Sequence, residues 1–182
     1  MLTINFSPFP NLETERLLLR RVDSNDIKEI FALRSNPETM KYIPRPLVKT
    51  DEDALEHIAM IDSKIDSNEG INWAITLKGN PKLVGIIGHH RIKSENYRAE
   101  IGYMLLPEFH GKGIISEAVK EAVNYGFTVM KLHSLEAVID PDNHASAKVL
   151  EKNGFIKEAH LKENKFYEGR FLDTVIYSTW NR

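Results

Sequence analysis

The amino-acid sequence predicts an α/β (α+β) fold built on a mixed, largely antiparallel sheet. Three strand-like segments follow one another at 71–77, 83–92 and 98–106, and strands in series indicate an antiparallel meander. A loop, a helix that runs to about 129 and a further strand at 135–139 follow the third segment. This spacing requires a crossover, which places the strand at 135–139 parallel to the strand at 98–106. We therefore expect antiparallel and parallel pairs within one sheet.

The flanking elements complete this sheet and add helices to it. Thr50 with Asp53 resembles a capping box, which marks a helix start, and Asn153-Gly154 is typical of a helix end. Asp23 or Ser24 provides a cap for an earlier helix. In chain order, the predicted flanking elements are a strand at 12–22, helices at 24–35, 50–66 and 144–152, and strands at 155–161 and 171–179.

Length, charge and composition exclude several classes of protein. The chain has 182 residues, which is the size of one domain. Its 24 basic and 26 acidic residues give a formal net charge of −2, which argues against a protein that coats nucleic acid or an anionic membrane. Without cysteine, the chain has no disulfide, no thiolate metal site and no cysteine nucleophile. We read neither a signal peptide nor a membrane span, so we expect a cytoplasmic protein with no nucleic-acid or membrane partner.

The most informative stretch is the strand, loop and helix at 99–127. Gly111 and Gly113, on either side of Lys112, allow the chain to turn sharply and its amides to approach a ligand. With the free amides and the positive dipole end of the following helix, they predict a pyrophosphate site. Ser116 adds a hydroxyl donor in the first helical turn, and Lys112 adds a positive charge. The alternative interpretation of Lys112 is an exposed lysine with no ligand.

Two other phosphate-binding motifs do not fit this loop. A P-loop needs the string GxxxxGK[ST], which does not occur in the chain. A Rossmann fingerprint needs a third glycine where Ser116 stands, and it belongs early in a parallel sheet. The Gly111–Gly113 loop follows an antiparallel meander, so neither motif accounts for it.

Three separate motifs resemble the GNAT N-acetyltransferase superfamily, and together they span nearly the whole chain. Residues 99–127 resemble its motif A, which binds acetyl-CoA. Asn143, Ser146 and the run EKNGF at 151–155 resemble its second signature. The opening run LETERLxLR at 12–20 is similar to the start of one branch, the ribosomal-protein-alanine (Rim-type) N-acetyltransferases.

This resemblance implies how the fold would hold acetyl-CoA as its co-substrate. Strands 98–106 and 135–139 would splay apart in a central V, with helices on both faces of the sheet, and the pantetheine arm would lie between them. A backbone amide at Met104 or Leu105 would stabilise negative charge on the thioester oxygen. The residues that the resemblance places against acetyl-CoA are Tyr103, Met104, Leu105, His110, Gly111, Lys112, Gly113, Ile114, Ile115, Ser116, Asn143 and Ser146.

Two residues are candidates for proton transfer. Glu100 could take the proton of the amine, although a strand residue paired with Arg98 or Arg91 is the simpler interpretation. Ser146, which matches a family serine near the CoA sulfur, could protonate the leaving thiolate or only bond to its own helix. The pair His89-His90 is not interpreted as a metal site, because adjacent strand residues point to opposite faces, and we expect no metal.

These residues support one hypothesis and leave three alternatives open. We expect acetyl transfer from acetyl-CoA to a primary amine by direct attack, the acceptor being the N-terminal α-amine of a protein or peptide such as a ribosomal protein. Residues 1–182 would form a single N-acetyltransferase domain, acting as a monomer or homodimer. The alternatives are an acetyltransferase for a small-molecule amine (polyamine, amino acid or antibiotic), a non-catalytic acyl-CoA sensor, and a generic nucleotide-phosphate binder.

Overall fold

A computed structural model describes all residues, Met1–Arg182, and its centre is one eight-stranded sheet. The strands are β1 (Leu12–Glu13), β2 (Leu17–Arg21), β3 (Ile71–Leu77), β4 (Leu83–Lys93), β5 (Arg98–Leu105), β6 (Ser134–Ile139), β7 (Ile156–Tyr167) and β8 (Arg170–Trp180). The helices are α1 (Ile27–Ser35), α2 (Pro37–Met40), α3 (Asp51–Asp66), α4 (Ile114–Thr128) and α5 (His144–Lys152). Single 3-10 turns occur at Ser24–Asp26, Ser94–Asn96 and Pro107–Phe109.

The sheet is antiparallel except at one pair of strands. Its order is β1-β2-β3-β4-β5-β6-β8-β7, and β3, β4 and β5 form the predicted meander. β5 and β6 are parallel and pair only over Arg98–Glu100 of β5. Beyond these residues both strands continue without pairing to each other, and we call the space between them the strand gap. The predicted mixed, largely antiparallel sheet with a V-shaped splay is confirmed.

Helices cover both faces of the sheet, as expected. Alternate residues of β3 supply two separate cores, because successive strand side chains point to opposite faces. Trp73 packs in the larger core with α4 residues such as Ala118, whereas Ala74 packs in the smaller core with α1 residues such as Leu33. The face covered by α4 and α5 is therefore distinct from the face covered by α1, while α3 contributes Ile61 and Ile65 to the larger core and Ala54 and Ile58 to the smaller one.

Side-chain caps begin the two helices where the sequence predicted them. Thr50 Oγ1 accepts a hydrogen bond from Asp53 N (3.1 Å), and Asp53 Oδ2 accepts one from Thr50 N (3.0 Å), which completes a capping box before α3. Asp23 forms the same arrangement with Asp26 ahead of α1. None of the helices combines the length and the hydropathy that crossing a lipid bilayer would require.

The single strand predicted at 12–22 is wrong. Thr14 N donates to Leu17 O (3.0 Å), and Thr14 Oγ1 accepts from Leu17 N (2.9 Å), so the chain reverses between these residues. β1 consequently folds back antiparallel on β2, with Leu12 opposite Leu19. No glycine or proline marks this turn, because a threonine side chain closes it.

The last two strands are longer than predicted. β7 continues past the expected end at 161 to Tyr167, and β8 begins at Arg170. Glu168 and Gly169 both have positive φ (47° and 80°), which is typical of a two-residue hairpin turn. The charged residues between 162 and 168 conceal the strand, because nearly all of β7 is solvent-exposed and needs no apolar alternation.

Candidate active site

The end of β5 directs unpaired backbone groups into the strand gap. The amide of Leu106 donates to Val84 O on β4 (2.9 Å). Every second residue of a strand directs its backbone N–H and C=O toward the same neighbouring strand. Met104 therefore also directs its backbone groups toward β4. Tyr103 and Leu105 direct their backbone groups to the other side, into the strand gap. The pairing with β6 ends at Glu100, so no strand satisfies the groups on this side.

A glycine loop connects β5 to α4 at one end of the strand gap. His110 Nε2 donates to the carbonyl oxygen of Leu105 (3.0 Å), so its ring holds the loop against the end of β5. Gly111 and Gly113 have φ values of 73° and 75°, a region in which a residue with Cβ is destabilised. Gly113 is also the residue that precedes the first turn of α4. The two predicted glycines thus occupy positions that require them.

The amino end of α4 carries free backbone donors. Glu117 N makes the first helical hydrogen bond, to Gly113 O (3.1 Å), which leaves the amides of Ile114, Ile115 and Ser116 without an acceptor in the helix. The side chains of Ile114 and Ile115 are buried in the larger core, so these two residues can reach a ligand only through their amides. Together with the helix dipole, the free donors favour an anion.

Charged side chains extend this anion site into a neighbouring cavity of about 760 Å³. Arg16, which the sequence analysis overlooked as a site residue, contacts Glu117 (Nε to Oε2, 2.6 Å) and donates from Nη1 to Lys112 O (3.0 Å). It neutralises a carboxylate that would otherwise repel an anion beside α4. Lys112 Nζ lies 5.4 Å from the centroid of the Phe109 ring, at the loop surface. The remaining lining residues are Thr14, Glu15, Gly113, Ser116, Lys120, Glu121, Val123, Lys152 and Asn153.

Polar side chains join α5 to β5 on the face covered by α4 and α5. Asn143 Oδ1 accepts from Ser146 N (3.1 Å) and caps α5. The buried hydroxyl of Ser146 lies 2.7 Å from the hydroxyl of Tyr103. Burial raises the pKa of Tyr103 to about 12, and the phenol therefore remains protonated at neutral pH. This pair keeps hydroxyl protons beside the strand gap.

Glu100 lies on the opposite face of β5 from Tyr103, because the two positions differ by an odd number. Its Oε2 contacts Arg91 Nη1 (2.6 Å), while Oε1 has no protein partner. The other candidate partner, Arg98, pairs with Glu136 instead (2.9 Å). The two residues predicted to transfer protons, Glu100 and Ser146, therefore lie on different faces with β5 between them.

Buried positive charge occurs on the same face as Glu100. Arg34 of α1 is only 8 % exposed, and its one side-chain hydrogen bond goes to Met104 Sδ (3.8 Å). Burial, and then the charge of Arg45, lowers the pKa of Arg34. No carboxylate forms a salt bridge with Arg34, and no sequence motif identifies it as a site residue.

Two neutral histidines and a lysine adjoin these arginines. Burial, followed by the charges of Arg34 and Arg45, lowers the pKa of His57 to about 3. Burial and nearby cations, Arg45 among them, lower the pKa of His90 to about 4. Burial, then Arg45 and Arg91, lowers the pKa of Lys165 on β7, whereas Glu100 raises it. The group that we call the cationic cluster consists of Arg34, Arg45 and Lys165, and the neutral His57 and His90 lie beside it.

The adjacent histidines of β4 point to opposite faces, as the sequence predicted. His89 Nε2 donates to Ala122 O of α4 (2.9 Å) inside the larger core. His90 lies beside the cationic cluster on the other face. No group of three or more His, Cys, Asp or Glu side chains is arranged to hold a metal ion.

Comparisons with known proteins agree with this architecture. The family model described as an acetyltransferase (GNAT) domain matches residues 16–156. The uncharacterized N-acetyltransferase YoaA of Bacillus subtilis (strain 168) is 37 % identical over 170 residues, which cover 93 % of this chain and 96 % of the relative. Spermidine N(1)-acetyltransferase of Escherichia coli (strain K12) is 27 % identical over 158 residues, covering 86 % of this chain and 82 % of the relative.

Solved structures show the same fold. An acetyltransferase of the GNAT family from Bacillus anthracis superposes with a TM-score of 0.83 at 32 % identity, covering 94 % of this chain and 98 % of the other. The ribosomal-protein-S5-alanine acetyltransferase from Vibrio fischeri superposes with a TM-score of 0.80 at 25 % identity, covering 94 % of this chain and 97 % of the other. Proteins with this fold thus include enzymes named for a protein acceptor, while a sequence relative is named for a polyamine.

Proposed function

We propose an acceptor and a mechanism for this chain on the premise that it belongs to the GNAT acetyltransferase family, and hence is an acetyltransferase. The proposed donor is acetyl-CoA, and the proposed acceptor is the N-terminal α-amine of a protein or peptide, such as a ribosomal protein. The observation that carries the proposal is the strand gap, which ends at a glycine loop and at the free amides of α4.

The residues around the strand gap fit the parts of acetyl-CoA, which supplies a thioester-activated acetyl group. The backbone groups of Tyr103 and the amide of Leu105, which no strand pairs, suit the amides of a pantetheine arm. The loop Gly111–Gly113 and the first amides of α4 suit a pyrophosphate. The adjoining cavity of about 760 Å³ is large enough for the nucleotide portion.

Backbone direction separates the two amides that the sequence left as alternatives. Met104 directs its amide toward β4, whereas Leu105 directs its amide into the strand gap. We therefore assign to Leu105 N–H the stabilisation of negative charge that develops on the carbonyl oxygen during attack. The carbonyl of Leu105 already accepts from His110, which holds this peptide in place.

In this mechanism the group that accepts the amine proton and the group that protonates the leaving sulfur lie on opposite faces of β5. The amine nitrogen forms a bond to the acetyl carbon, the carbon–sulfur bond breaks, and the proton that the amine loses passes through water to Glu100 Oε1, because Glu100 lies five residues along β5 from the Leu105 amide. The hydroxyl pair of Ser146 and Tyr103 donates a proton to the leaving sulfur. An α-amine has a pKa of about 8, so a useful fraction of it is already neutral near pH 7. A lysine side chain has a pKa of about 10.4, so almost none of it is neutral at that pH.

A small-molecule amine is the second candidate acceptor, since one relative is named a spermidine acetyltransferase. The other two alternatives from the sequence, a non-catalytic sensor and a generic nucleotide-phosphate binder, lose support because the relatives are named as acetyltransferases. The choice that remains is between a peptide terminus and a small amine.

A panel of amines tests the proposal. Release of the CoA thiol from acetyl-CoA is measured with peptides that differ in their first residue, with the same peptides blocked at the N-terminus, and with spermidine and free amino acids. We expect turnover with unblocked peptides and none with their blocked forms. Turnover with spermidine alone would replace the proposed acceptor by a polyamine, and turnover with free amino acids alone would replace it by a small molecule.

A further inference from the structure

Arg34 is a buried cation without a counter-ion. Its side chain is more than nine-tenths buried, and its single hydrogen-bond acceptor is the weakly polar Sδ of Met104. A buried guanidinium ordinarily pairs with a carboxylate, because an unpaired charge inside a protein is costly. The charge that acts on Arg34 most strongly from another side chain is that of Arg45, which has the same sign.

The N–H groups of Arg34 that lack a partner are not completely enclosed by protein. The side-chain polar atoms that are fully buried without a partner are Thr39 Oγ1 and His89 Nδ1, and no Arg34 nitrogen is among them. A guanidinium has five N–H groups, of which Arg34 uses one here. The remaining donors can therefore bind a molecule that enters from outside.

The neighbours of Arg34 reinforce its positive potential. Arg45 is exposed and forms no salt bridge, and it precedes by three residues Val48, whose amide donates to Arg34 O (3.0 Å). Its charge also acts on His57, His90 and Lys165. Glu100 is the carboxylate that acts on Lys165, and Arg91 already neutralises it at 2.6 Å. The face that bears the proposed base is thus locally cationic, although the whole chain has a net charge of −2.

Arg34 also lies beside the reacting part of the proposed site. It contacts Met104, whose neighbour Leu105 carries the amide assigned to the acetyl oxygen. Glu100 and Met104 share one face of β5 and are four residues, or about 13 Å, apart along the strand. An acceptor whose amine attacks an acetyl group held at Leu105 N–H therefore places its adjoining groups near Met104 and Arg34, while its proton reaches Glu100 through water.

We propose that the acceptor carries an anionic group, a carboxylate or a phosphate, near its amine, and that Arg34 and Arg45 bind this group. The proposal rests on the amine acceptor proposed above and narrows it to acidic acceptors, such as peptides with an acidic residue close to the N-terminus. Arg34 binds the anion through paired N–H donors, which suit the geometry of both oxyanions.

The cationic cluster has a second effect on the acceptor. Like charges disfavour the protonated form of an amine, so they increase the neutral fraction that can attack. A polyamine with several ammonium groups meets repulsion throughout its length. The cluster therefore selects against spermidine and for an amine whose own anion compensates the positive charge.

Matched acceptors in wild type and variants test this inference. Peptides with Asp or phosphoserine near a free N-terminus are compared with their Asn and Ser counterparts, with a Lys-containing peptide and with spermidine, by kcat/KM. In wild type we expect at least about a tenfold preference for the anionic peptides, as one charge-assisted contact would give. The two anionic peptides distinguish carboxylate from phosphate as the preferred group.

Arg34→Met should reduce the ratio of kcat/KM for anionic and neutral peptides to about one, because it retains the apolar stem and removes the charge. Arg45→Met, in an exposed segment, should reduce this ratio partly. It remains a test of the inference if Arg34→Met does not fold. Lys28→Met on the same helix α1 makes the same charge change at an exposed position and should leave the preference intact.

Equal rates for acidic and neutral peptides in wild type, or a preference that survives both arginine variants, would overturn the inference while leaving acetylation of peptides in place. Turnover confined to small amines that carry a carboxylate or phosphate, with the same loss in Arg34→Met, would support the inference and refute the peptide acceptor.

Discussion

Glu100 has one carboxylate oxygen bound to Arg91 and one without a partner. Replacement by Gln keeps the shape and removes the capacity to accept a proton. We expect Glu100→Gln to lower kcat by about a hundredfold or more, the usual contribution of a general base, with little change in acetyl-CoA affinity. Steady-state kinetics over a range of pH, with acetyl-CoA binding measured separately, test this prediction.

Arg91→Met is the matched control for this prediction. It removes the ion pair but keeps the carboxylate, so it should retain most of the activity if Glu100 is the base. Similar losses in the two variants would mean that Glu100 serves only to pair with Arg91.

The hydroxyl pair of Tyr103 and Ser146 gives a second prediction at this scale. Tyr103→Phe and Ser146→Ala should each lower kcat by at least about tenfold, because the leaving sulfur then lacks its proton donor. Tyr125→Phe is the control, since Tyr125 is also buried and burial also raises its pKa to about 12, yet it packs on Trp73 away from the strand gap. Full activity in both site variants would remove the pair from the mechanism.

The sequence suggested candidate site residues within motifs but not the candidates that only folding brings to the proposed site. Glu100, Tyr103 and Gly113 stand in one continuous segment, and the resemblance of that segment to motif A is what suggested a shared site. Arg34 and Arg16 come from distant parts of the chain, and each is one basic residue among 24. Only the packing of α1 on β5, and of the β1–β2 turn on α4, shows that they border the site.

At the scale of elements, the loop between β5 and α4 depends on the backbone conformation of its glycines. Gly111 has a φ of 73° and no atom within 4 Å of the position that a Cβ would occupy. We expect Gly111→Ala to cost about 1–2 kcal/mol of stability through backbone strain alone. Since that strain shifts the loop amides, the acetyl-CoA dissociation constant should rise on the order of tenfold, or about 1.4 kcal/mol.

Gly79→Ala is the matched control for the loop. Gly79 also has a positive φ (81°) and an empty Cβ position, but it lies in the turn between β3 and β4. Both variants should lose similar stability in thermal unfolding, and only Gly111→Ala should lose affinity in calorimetric titration with acetyl-CoA. Unchanged affinity in Gly111→Ala would separate the loop from the co-substrate site.

Elements were predictable where their signals are local. The capping box of α3 and the meander of β3, β4 and β5 followed from residue type and alternation. The β1–β2 turn was missed because Thr14 closes it through a side-chain hydrogen bond rather than through glycine or proline. The end of β7 was missed because an exposed edge strand needs no apolar pattern.

At the scale of the whole molecule, buried neutral histidines couple stability to pH. His89 is fully buried between Trp73 and Ala122, and burial lowers its pKa to about 4. The unfolded chain binds this proton near pH 6.5 and the folded chain only near pH 4, so stability is lost as pH falls between these values. The group contributes on the order of 3 kcal/mol to that loss.

Urea unfolding at several pH values between 7 and 4.5 tests this coupling. His89→Gln should be less stable at pH 7 but should lose less free energy of unfolding on acidification than wild type. His133→Gln, at an exposed position, should keep the wild-type slope. Parallel slopes for wild type and His89→Gln would show that His89 does not titrate on unfolding.

Acetylation of a single peptide with two amines tests the central claim most directly. The peptide carries a free N-terminus, an acidic residue next to it and one internal lysine, and fragment mass spectrometry locates the acetyl group after incubation with acetyl-CoA. The account predicts acetylation at the N-terminal α-amine and none at the lysine. Acetylation of the lysine alone, or none of the peptide while spermidine is acetylated under the same conditions, would contradict it.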